Sequence, residues 1–160
     1  MTISIRFAGP DDAAILHRFI VELAIYEREP DAVELDEQTL RAQMSEGRPP
    51  FECLVAEDEG GTALGFALFF QSYSTWKGRP GLYLEDLFVP EAHRGRGVGK
   101  ALLVELAAVA LSRDYGRMEW AVLDWNTPAI EVYEHLGARP QSDWTTYRLT
   151  GDAIRQLAGG

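Results

Sequence analysis

One stretch of the chain, residues 82–100, decides the fold. It reads Leu82-Tyr83-Leu84-Glu85-Asp86-Leu87-Phe88-Val89, then Pro90-Glu91-Ala92-His93-Arg94-Gly95-Arg96-Gly97-Val98-Gly99-Lys100. An apolar strand pattern enters a turn with glycines at alternate positions, and the turn opens onto a helical pattern at residues 101–111. Such glycines leave backbone N–H groups uncovered, and a helix N-terminus adds about half a positive charge behind them. The stretch therefore predicts a cradle for a phosphate or pyrophosphate group.

Two familiar phosphate loops do not fit this turn. A Walker A loop needs Gly-x-x-x-x-Gly-Lys-Ser/Thr, but Arg94 stands where its first glycine belongs and Ala101 where its hydroxyl belongs. The dinucleotide fingerprint Gly-x-Gly-x-x-Gly would need a third glycine at Lys100. Two interpretations stay open at this point, a different diphosphate loop and an ordinary glycine-rich turn between a strand and a helix.

The pattern Arg94-x-x-Gly97-x-Gly99 resembles the coenzyme A pyrophosphate loop of the GCN5-related N-acetyltransferase (GNAT) superfamily. Over residues 5–157 the chain is similar to the diamine acetyltransferase family, and closest to its thialysine Nε-acetyltransferase branch. The segments that carry this resemblance are Ile5-Arg6, Glu22-Leu23-Ala24, Tyr26-Glu27, Ser74-Thr75-Trp76-Lys77-Gly78, Tyr83-Leu84-Glu85-Asp86, Leu123-Asp124-Trp125-Asn126 and Tyr133 with Leu136-Gly137-Ala138. The resemblance implies acetyl-CoA as co-substrate, a small-molecule amine as acceptor and a homodimer.

Composition narrows the class of protein. The chain has 160 residues, of which 46% are hydrophobic and 25% charged, enough for one globular domain over residues 1–160. A formal charge of −10 argues against a nucleic-acid partner and suits either a cationic substrate or solubility alone. No apolar run reaches membrane-spanning length, and the first residues lack a signal-peptide pattern. The single cysteine, Cys53, cannot form an internal disulfide, so we expect a cytoplasmic protein.

Strand and helix patterns alternate along the whole chain and predict an α/β class. Predicted strands cover residues 2–8, 51–57, 62–73, 82–89, 117–123 and 144–149, and predicted helices cover about 15–27, 36–47, 97–113, 126–136 and 152–158. Residues 58–61 read as a hairpin turn, and residues 74–80 as a loop. With hairpins in the first half, we expect the GNAT fold, a central mixed and largely antiparallel twisted sheet of six to seven strands flanked by helices.

The chemistry expected of such an enzyme requires proton transfer at two places. A free alkylamine has a pKa near about 10, so it must lose a proton before it attacks a thioester, and the departing thiolate must gain one. Glu85 lies on the strand that feeds the glycine turn, and the resemblance implies that it contacts the amine substrate, so it is our candidate for the group that accepts the amine proton through water. The resemblance assigns Tyr133 as proton donor to the thiolate. A solvated strand glutamate and an amphipathic core tyrosine are the plainer interpretations of these two residues.

The resemblance also implies the binding residues. Coenzyme contacts are expected from Leu87, Phe88, Val89, Arg94, Gly95, Arg96, Gly97, Val98, Gly99, Lys100, Asn126, Thr127, Pro128 and Ala129. Acceptor contacts are expected from Tyr26, Glu27, Trp76, Glu85, Glu119, Trp120 and Ala121. Arg94 has a second interpretation as a residue that only stabilises the turn, and Asn126 a second as a helix N-cap. On a regular strand Asp86 would point away from Glu85, so only one of the two would serve the amine.

Ser74 bears on the choice of acceptor. The polyamine branch resembles this loop but carries an aspartate at the position of Ser74, so we expect a small amino-acid-like primary amine to be preferred over spermidine. Competing interpretations are an acetyltransferase for another acceptor, such as an aminoglycoside or a protein N-terminus, and a non-catalytic coenzyme A sensor. The spacing of His17, His93 and His135 is not that of a metal site, so we predict no metal.

Overall fold

A computed structural model describes residues 2–160, and it divides into two compact units, residues 1–121 and 122–160. The strands of the first unit are β1 (Ser4–Phe7), β2 (Glu52–Glu57), β3 (Ala63–Ser74), β4 (Arg79–Phe88) and β5 (Met118–Trp120). Its helices are α1 (Ala13–Tyr26), α2 (Glu37–Met44) and α3 (Val98–Ser112), with short 3₁₀ turns at Pro10–Asp12 and Glu91–His93. Within residues 2–160, no helix is both long and apolar enough to cross a bilayer.

The five strands form one sheet in the order β1-β2-β3-β4-β5. The first four are antiparallel neighbours, and β5 joins β4 in parallel, so the sheet is mixed as predicted. The connection from β4 to β5 runs through α3, as a parallel pair requires. The expected α/β class is confirmed, while the expected count of six to seven strands is corrected to five.

Helices cover both faces of the sheet. On one face, α1 and α2 bury a core in which the Phe19 ring lies 5.9 Å from the Phe66 ring and 6.2 Å from the Phe88 ring. On the other face lies α3, whose Leu102 and Leu106 are fully buried. A Cβ placed on Gly65 of β3 would lie 2.7 Å from the Phe88 carbonyl oxygen and 3.3 Å from Val98 at the start of α3. The absent side chain therefore lets β4 and the first turn of α3 approach β3 closely.

The end of α1 is set by a Schellman motif. The Arg28 N–H donates to the Ile25 carbonyl and the Glu29 N–H to the Ala24 carbonyl, at 3.0 and 2.9 Å. Arg28 occupies the left-handed position that usually belongs to glycine, with φ of +66°. The motif fixes Glu27, the residue before Arg28, at the C-terminal end of α1.

The second unit contains α4 (Thr127–His135) and α5 (Gly151–Leu157). Gly137, with φ of +93°, ends α4 as predicted, since its N–H donates to the Glu134 carbonyl and that of Ala138 to the Tyr133 carbonyl. The strand predicted at residues 144–149 is wrong, because that segment forms neither strand nor helix. Its aromatic and β-branched residues suit a strand, but a strand also needs a partner for its backbone hydrogen bonds.

Candidate functional site

The glycine turn leads directly into the N-terminus of α3. Gly95 and Gly97 have φ of +78° and +81°, a left-handed conformation that glycine adopts without steric cost. Gly97 is the N-cap residue, and the first intrahelical bond joins the Ala101 N–H to the Gly97 carbonyl at 2.9 Å. The amides of residues 98–100 precede that bond, and therefore have no acceptor within the helix. Such amides, together with the helix dipole, suit the binding of an anion.

Arg94 connects this turn to the end of α1. Its Nε donates to the Val89 carbonyl at 2.8 Å. Its guanidinium carbon lies 4.9 Å from the centroid of the Tyr26 ring and 5.8 Å from that of Phe88. These contacts have the geometry of cation–π interactions. They favour the interpretation in which Arg94 stabilises the turn and the adjoining helix end.

A β-bulge lies at Glu85, in the middle of β4. Leu68 of β3 pairs with Asp86, but the next residue, Phe69, pairs with Leu84, so Glu85 has no partner in this ladder. A bulge interrupts the ladder hydrogen bonds and turns two neighbouring side chains toward one side of the sheet. The expectation that Asp86 points away from Glu85 assumed a regular strand, and the bulge removes its basis.

From Glu85 onward, β4 is no longer paired with β5. The parallel pairing with β5 covers only Leu82, Leu84 and the residue between them, and β5 ends at Trp120. Within the described residues, no strand pairs with residues 85–88 on that side. The backbone there can accept an extended ligand as an added strand. Of the predicted coenzyme contacts, Leu87 and Phe88 lie in this part of β4, while the carbonyl of Val89 is already bound by Arg94.

Three carboxylates lie close together where α1 ends beside the bulge. Burial, followed by the nearby charges of Glu85 and Glu27, raises the pKa of Asp86 to about 6. Burial, and then the charge of Glu85, also raises the pKa of Glu27. Glu85 itself is exposed. The structure thus places the predicted residues Glu27 and Glu85 within electrostatic reach of each other, with Asp86 as a third member.

The row of polar side chains continues along β4 to β5. Burial, then the charges of Glu85 and Glu119, raises the pKa of the Tyr83 phenol. Tyr83 is the register partner of Glu119, whose Oε1 lies 3.1 Å from Nε of Arg117. Sequence reasoning assigned no role to Tyr83 or Arg117. The alternation of side chains along β4 and β5 could have suggested them, but only with the pairing of the two strands known.

The predicted loop at residues 74–80 is instead a tight hairpin turn between β3 and β4. Ser74 is 4% exposed, and its hydroxyl accepts from the Lys77 N–H at 3.1 Å. Trp76, at the tip, is 85% exposed. Trp120, the last residue of β5, is half-buried and Ala121 is exposed. Trp76 thus projects from the hairpin, whereas Glu119 and Trp120 belong to the sheet.

Tyr133 and the segment Asn126, Thr127, Pro128 and Ala129 belong to the second unit. Asn126 is the N-cap of α4, as predicted, with its Oδ1 accepting from the Ala129 N–H at 3.4 Å. Pro128 lies in the first turn of the helix, where the missing N–H is tolerated. Tyr133 is half-buried on the same helix.

The cysteine and histidines show no arrangement for metal binding. No group of three or more His, Cys, Asp or Glu side chains suited to a metal occurs in residues 2–160. Cys53 is buried in β2, and burial raises the pKa of its thiol, which keeps it unreactive. His17 is used structurally, since its Nε2 lies 2.7 Å from the Leu35 carbonyl oxygen.

A strand that leads through a glycine turn into a helix N-terminus is an arrangement suited to binding a phosphate-bearing ligand. Residues 16–138 match the family model described as the acetyltransferase (GNAT) family. The chain belongs to this family and is a GNAT N-acetyltransferase, an enzyme class that uses acetyl-CoA and transfers the acetyl group to an amine. The predicted membership is therefore confirmed.

Individual relatives refine this placement. The chain is 40% identical to thialysine N-epsilon-acetyltransferase of Bos taurus, over 98% of both chains. It is 30% identical to L-ornithine N5-acetyltransferase of Arabidopsis thaliana, over 96% of this chain and 86% of the relative. Among solved structures, it is similar to an integron cassette protein from the mobile metagenome of V. cholerae, with a TM-score of 0.81, 25% identity, and coverage of 100% and 99% of the two chains.

Proposed function

We propose that this enzyme acetylates the primary amine of a small amine or amino-acid-like substrate, of the thialysine or diamine type, by direct transfer in a ternary complex. The observation that carries the proposal is the bulge at Glu85, on the strand that leads into the glycine turn and within electrostatic reach of the carboxylates of Glu27 and Asp86. Carboxylates beside the reacting position favour a cationic acceptor. The names of the bovine and Arabidopsis relatives, which act on thialysine and ornithine, support an amino acid with a terminal amine.

The coenzyme is held mainly by backbone groups in this proposal. The amides at residues 94–100 bind the diphosphate, and the unpaired edge of β4 at Leu87 and Phe88 hydrogen-bonds the pantetheine amides as an added strand. Asn126, Thr127, Pro128 and Ala129 contact the same arm. Acetyl-CoA supplies the activated acyl group. Because Arg94 is bound to Val89 and stacked on Tyr26, it contributes by holding the turn in shape.

Glu85 accepts the proton of the attacking amine through water. Its exposure allows a water molecule to lie between the carboxylate and the amine, and its place on the bulge frees it from the regular ladder. The bound ammonium first passes one proton through the water to Glu85, and the neutral amine then forms its bond to the acyl carbon, with the second proton of the nitrogen released to solvent as the amide forms. Direct transfer needs no nucleophile on the protein, which fits a Cys53 that is buried.

Tyr133 completes the reaction in this scheme. As the carbon–sulfur bond breaks, its phenol donates a proton to the thiolate, so that the coenzyme leaves as a neutral thiol. The proton that frees the amine for attack and the proton gained by the sulfur are thus exchanged with two different side chains.

Paired isosteric substitutions test the two roles. Glu85→Gln and Tyr133→Phe remove one proton-transfer group each and preserve size, so we expect kcat with thialysine to fall by about 10²-fold or more, while the dissociation constant of acetyl-CoA stays within about twofold. The exposed Glu46→Gln and Tyr147→Phe serve as controls. Unchanged kcat in either test variant would reject the role assigned to that residue.

A panel of acceptors tests the substrate class. Thialysine, lysine, ornithine, small diamines, spermidine, an aminoglycoside and a peptide N-terminus are compared by kcat/KM with acetyl-CoA, with release of free thiol as the signal. We expect the amino acids to exceed spermidine. A preference for the aminoglycoside or the peptide would reassign the acceptor, and coenzyme binding without any turnover would indicate a sensor. The resemblance further leads us to propose a cytoplasmic homodimer, and sedimentation at micromolar concentration tests the dimer.

A further inference from the structure

The polar row on β4 and β5 contains one cation that the proposed mechanism does not use. Arg117, the residue immediately before β5, lies on the same side of the sheet as Glu119, since Nε and Oε1 of the pair are 3.1 Å apart. A Cβ on Gly81 of β4 would meet the Ser72 hydroxyl at 2.9 Å and Cγ of Arg117 at 3.5 Å. The stem of Arg117 therefore lies over the backbone of Gly81, in space that any other residue there would fill.

This pair lies at a definite distance from the reacting position. Glu119 is the register partner of Tyr83, which precedes Glu85 by two residues on β4. Two residues of a strand span about 7 Å, and neighbouring strands are about 5 Å apart, so the two glutamates are separated by roughly 8 Å along the sheet surface. With bonds of about 1.5 Å, an extended chain of five bonds between a terminal amine and an α-carbon covers about 6 Å. An amino acid of this length can place its terminal amine at Glu85 and its head group at the pair.

The two ends of the polar row on β4 and β5 differ in charge. Near the bulge, Glu85 lies within electrostatic reach of two other carboxylates, Glu27 and Asp86, and of the Tyr83 phenol. At the other end, Arg117 and Glu119 present a cation and an anion side by side, with side chains 40% and 38% exposed. An exposed ion pair of this kind contributes little to stability. Each partner can therefore leave the other and bind a ligand with little loss of free energy. A ligand that carries both an ammonium and a carboxylate on one carbon matches the pair.

We propose that Arg117 and Glu119 bind the α-carboxylate and the α-ammonium of an amino acid whose terminal amine is acetylated at Glu85. The assignment rests on the proposed function and names the feature of the acceptor that this site recognises. It also gives a physical reason for discrimination against polyamines. The guanidinium of Arg117 can form a charge-assisted hydrogen bond with a carboxylate and repels a second ammonium.

Three acceptors with the same reacting amine isolate the two head-group contacts. Thialysine carries both groups, bis(2-aminoethyl) sulfide lacks the carboxylate, and 3-(2-aminoethylsulfanyl)propanoate lacks the α-amine. For the unmodified enzyme, we expect KM to be about tenfold higher for each truncated acceptor than for thialysine, with kcat changed less than KM. This ranking needs no variant.

Two single substitutions then assign each contact to its residue. Arg117→Gln should raise KM about tenfold for thialysine and for the propanoate, and leave KM for the sulfide diamine unchanged or lower. Glu119→Gln should raise KM for thialysine and the diamine, and leave that for the propanoate unchanged or lower. Arg79→Gln is the matched control, because Arg79 forms a similar exposed pair with Asp114, at 3.0 Å, and lies outside the row. Its KM values should equal those of the unmodified enzyme.

The outcomes separate this inference from the proposed function. Turnover of all three acceptors with equal KM, or an equal effect of Arg117→Gln on all three, would overturn the head-group assignment and leave the acetyltransferase proposal standing. The absence of turnover with all three would overturn the proposed acceptor class, and the head-group assignment with it.

Discussion

Replacement of Asp86 by asparagine should change how the stability of the protein depends on pH. In the folded chain the pKa of this carboxyl is raised from 3.8 to about 6, first by burial and then by the charges of Glu85 and Glu27. The folded state therefore disfavours the ionised form. Asparagine has nearly the same shape and no charge to lose or gain, so the variant should lack this source of pH dependence.

The sign and size follow from the raised pKa. A group whose pKa is higher in the folded than in the unfolded state adds stability at low pH, and that stability is lost as pH rises through the folded value. A rise of about two pKa units corresponds to about 3 kcal/mol, lost between roughly pH 4 and pH 7. The unfolding free energy of Asp86→Asn relative to the unmodified protein should therefore increase by up to about 3 kcal/mol over that interval.

Urea unfolding followed by tryptophan fluorescence, at several values between about pH 4.5 and 8, measures this difference directly. Asp31→Asn, at an exposed position in the segment after α1, is the control and should follow the unmodified protein at every pH. If the curves of Asp86→Asn and the unmodified protein run parallel across the interval, the burial and charge argument for Asp86 is refuted.

Three further substitutions test the backbone features around the site. Gly65→Ala places a Cβ 2.7 Å from the Phe88 carbonyl oxygen, so we expect a loss of about 1–3 kcal/mol in unfolding free energy by urea titration; a neutral result would show that the strands can separate without cost. Arg28→Gly removes a side chain from a left-handed position with φ of +66° and should stabilise the protein by up to about 1 kcal/mol, as a higher midpoint at an unchanged m-value. Gly97→Ala, at φ of +81°, should cost about 1–2 kcal/mol and weaken binding of coenzyme A in calorimetry; full affinity would mean that the turn tolerates another shape.

Much of the fold could be predicted because local patterns and the tertiary structure agree. The glycine turn, α3 behind it and the caps of α4 at Asn126 and Gly137 depend on backbone preferences that a few neighbouring residues determine. The strand expected at residues 144–149 fails for the opposite reason. The residue pattern of a segment indicates that it could form a strand. It does not show whether another strand is available to hydrogen-bond with its backbone.

Only part of the candidate site could be predicted from the sequence, because the rest of it depends on how strands pair. The resemblance pointed to Glu27 and Glu85, which the structure places within electrostatic reach of each other. The bulge at Glu85 depends on a one-residue mismatch in the pairing of β3 with β4, and the sequence of neither strand shows that mismatch by itself. Arg117 is visible as part of the site only when β5 is paired with β4, because its neighbour Gly81 is 36 positions away in the sequence.

The stacking of Arg94 on Tyr26 has a consequence for how such an enzyme can change. In the proposed function, Tyr26 contacts the acceptor, while Arg94 holds the shape of the turn that binds the coenzyme diphosphate. A substitution of Tyr26 that suited a new acceptor would also remove the ring on which the Arg94 guanidinium stacks. Acceptor specificity at this end of α1 and coenzyme binding at the glycine turn are therefore coupled. A substitution made to change the acceptor is expected to need a second substitution that restores coenzyme binding.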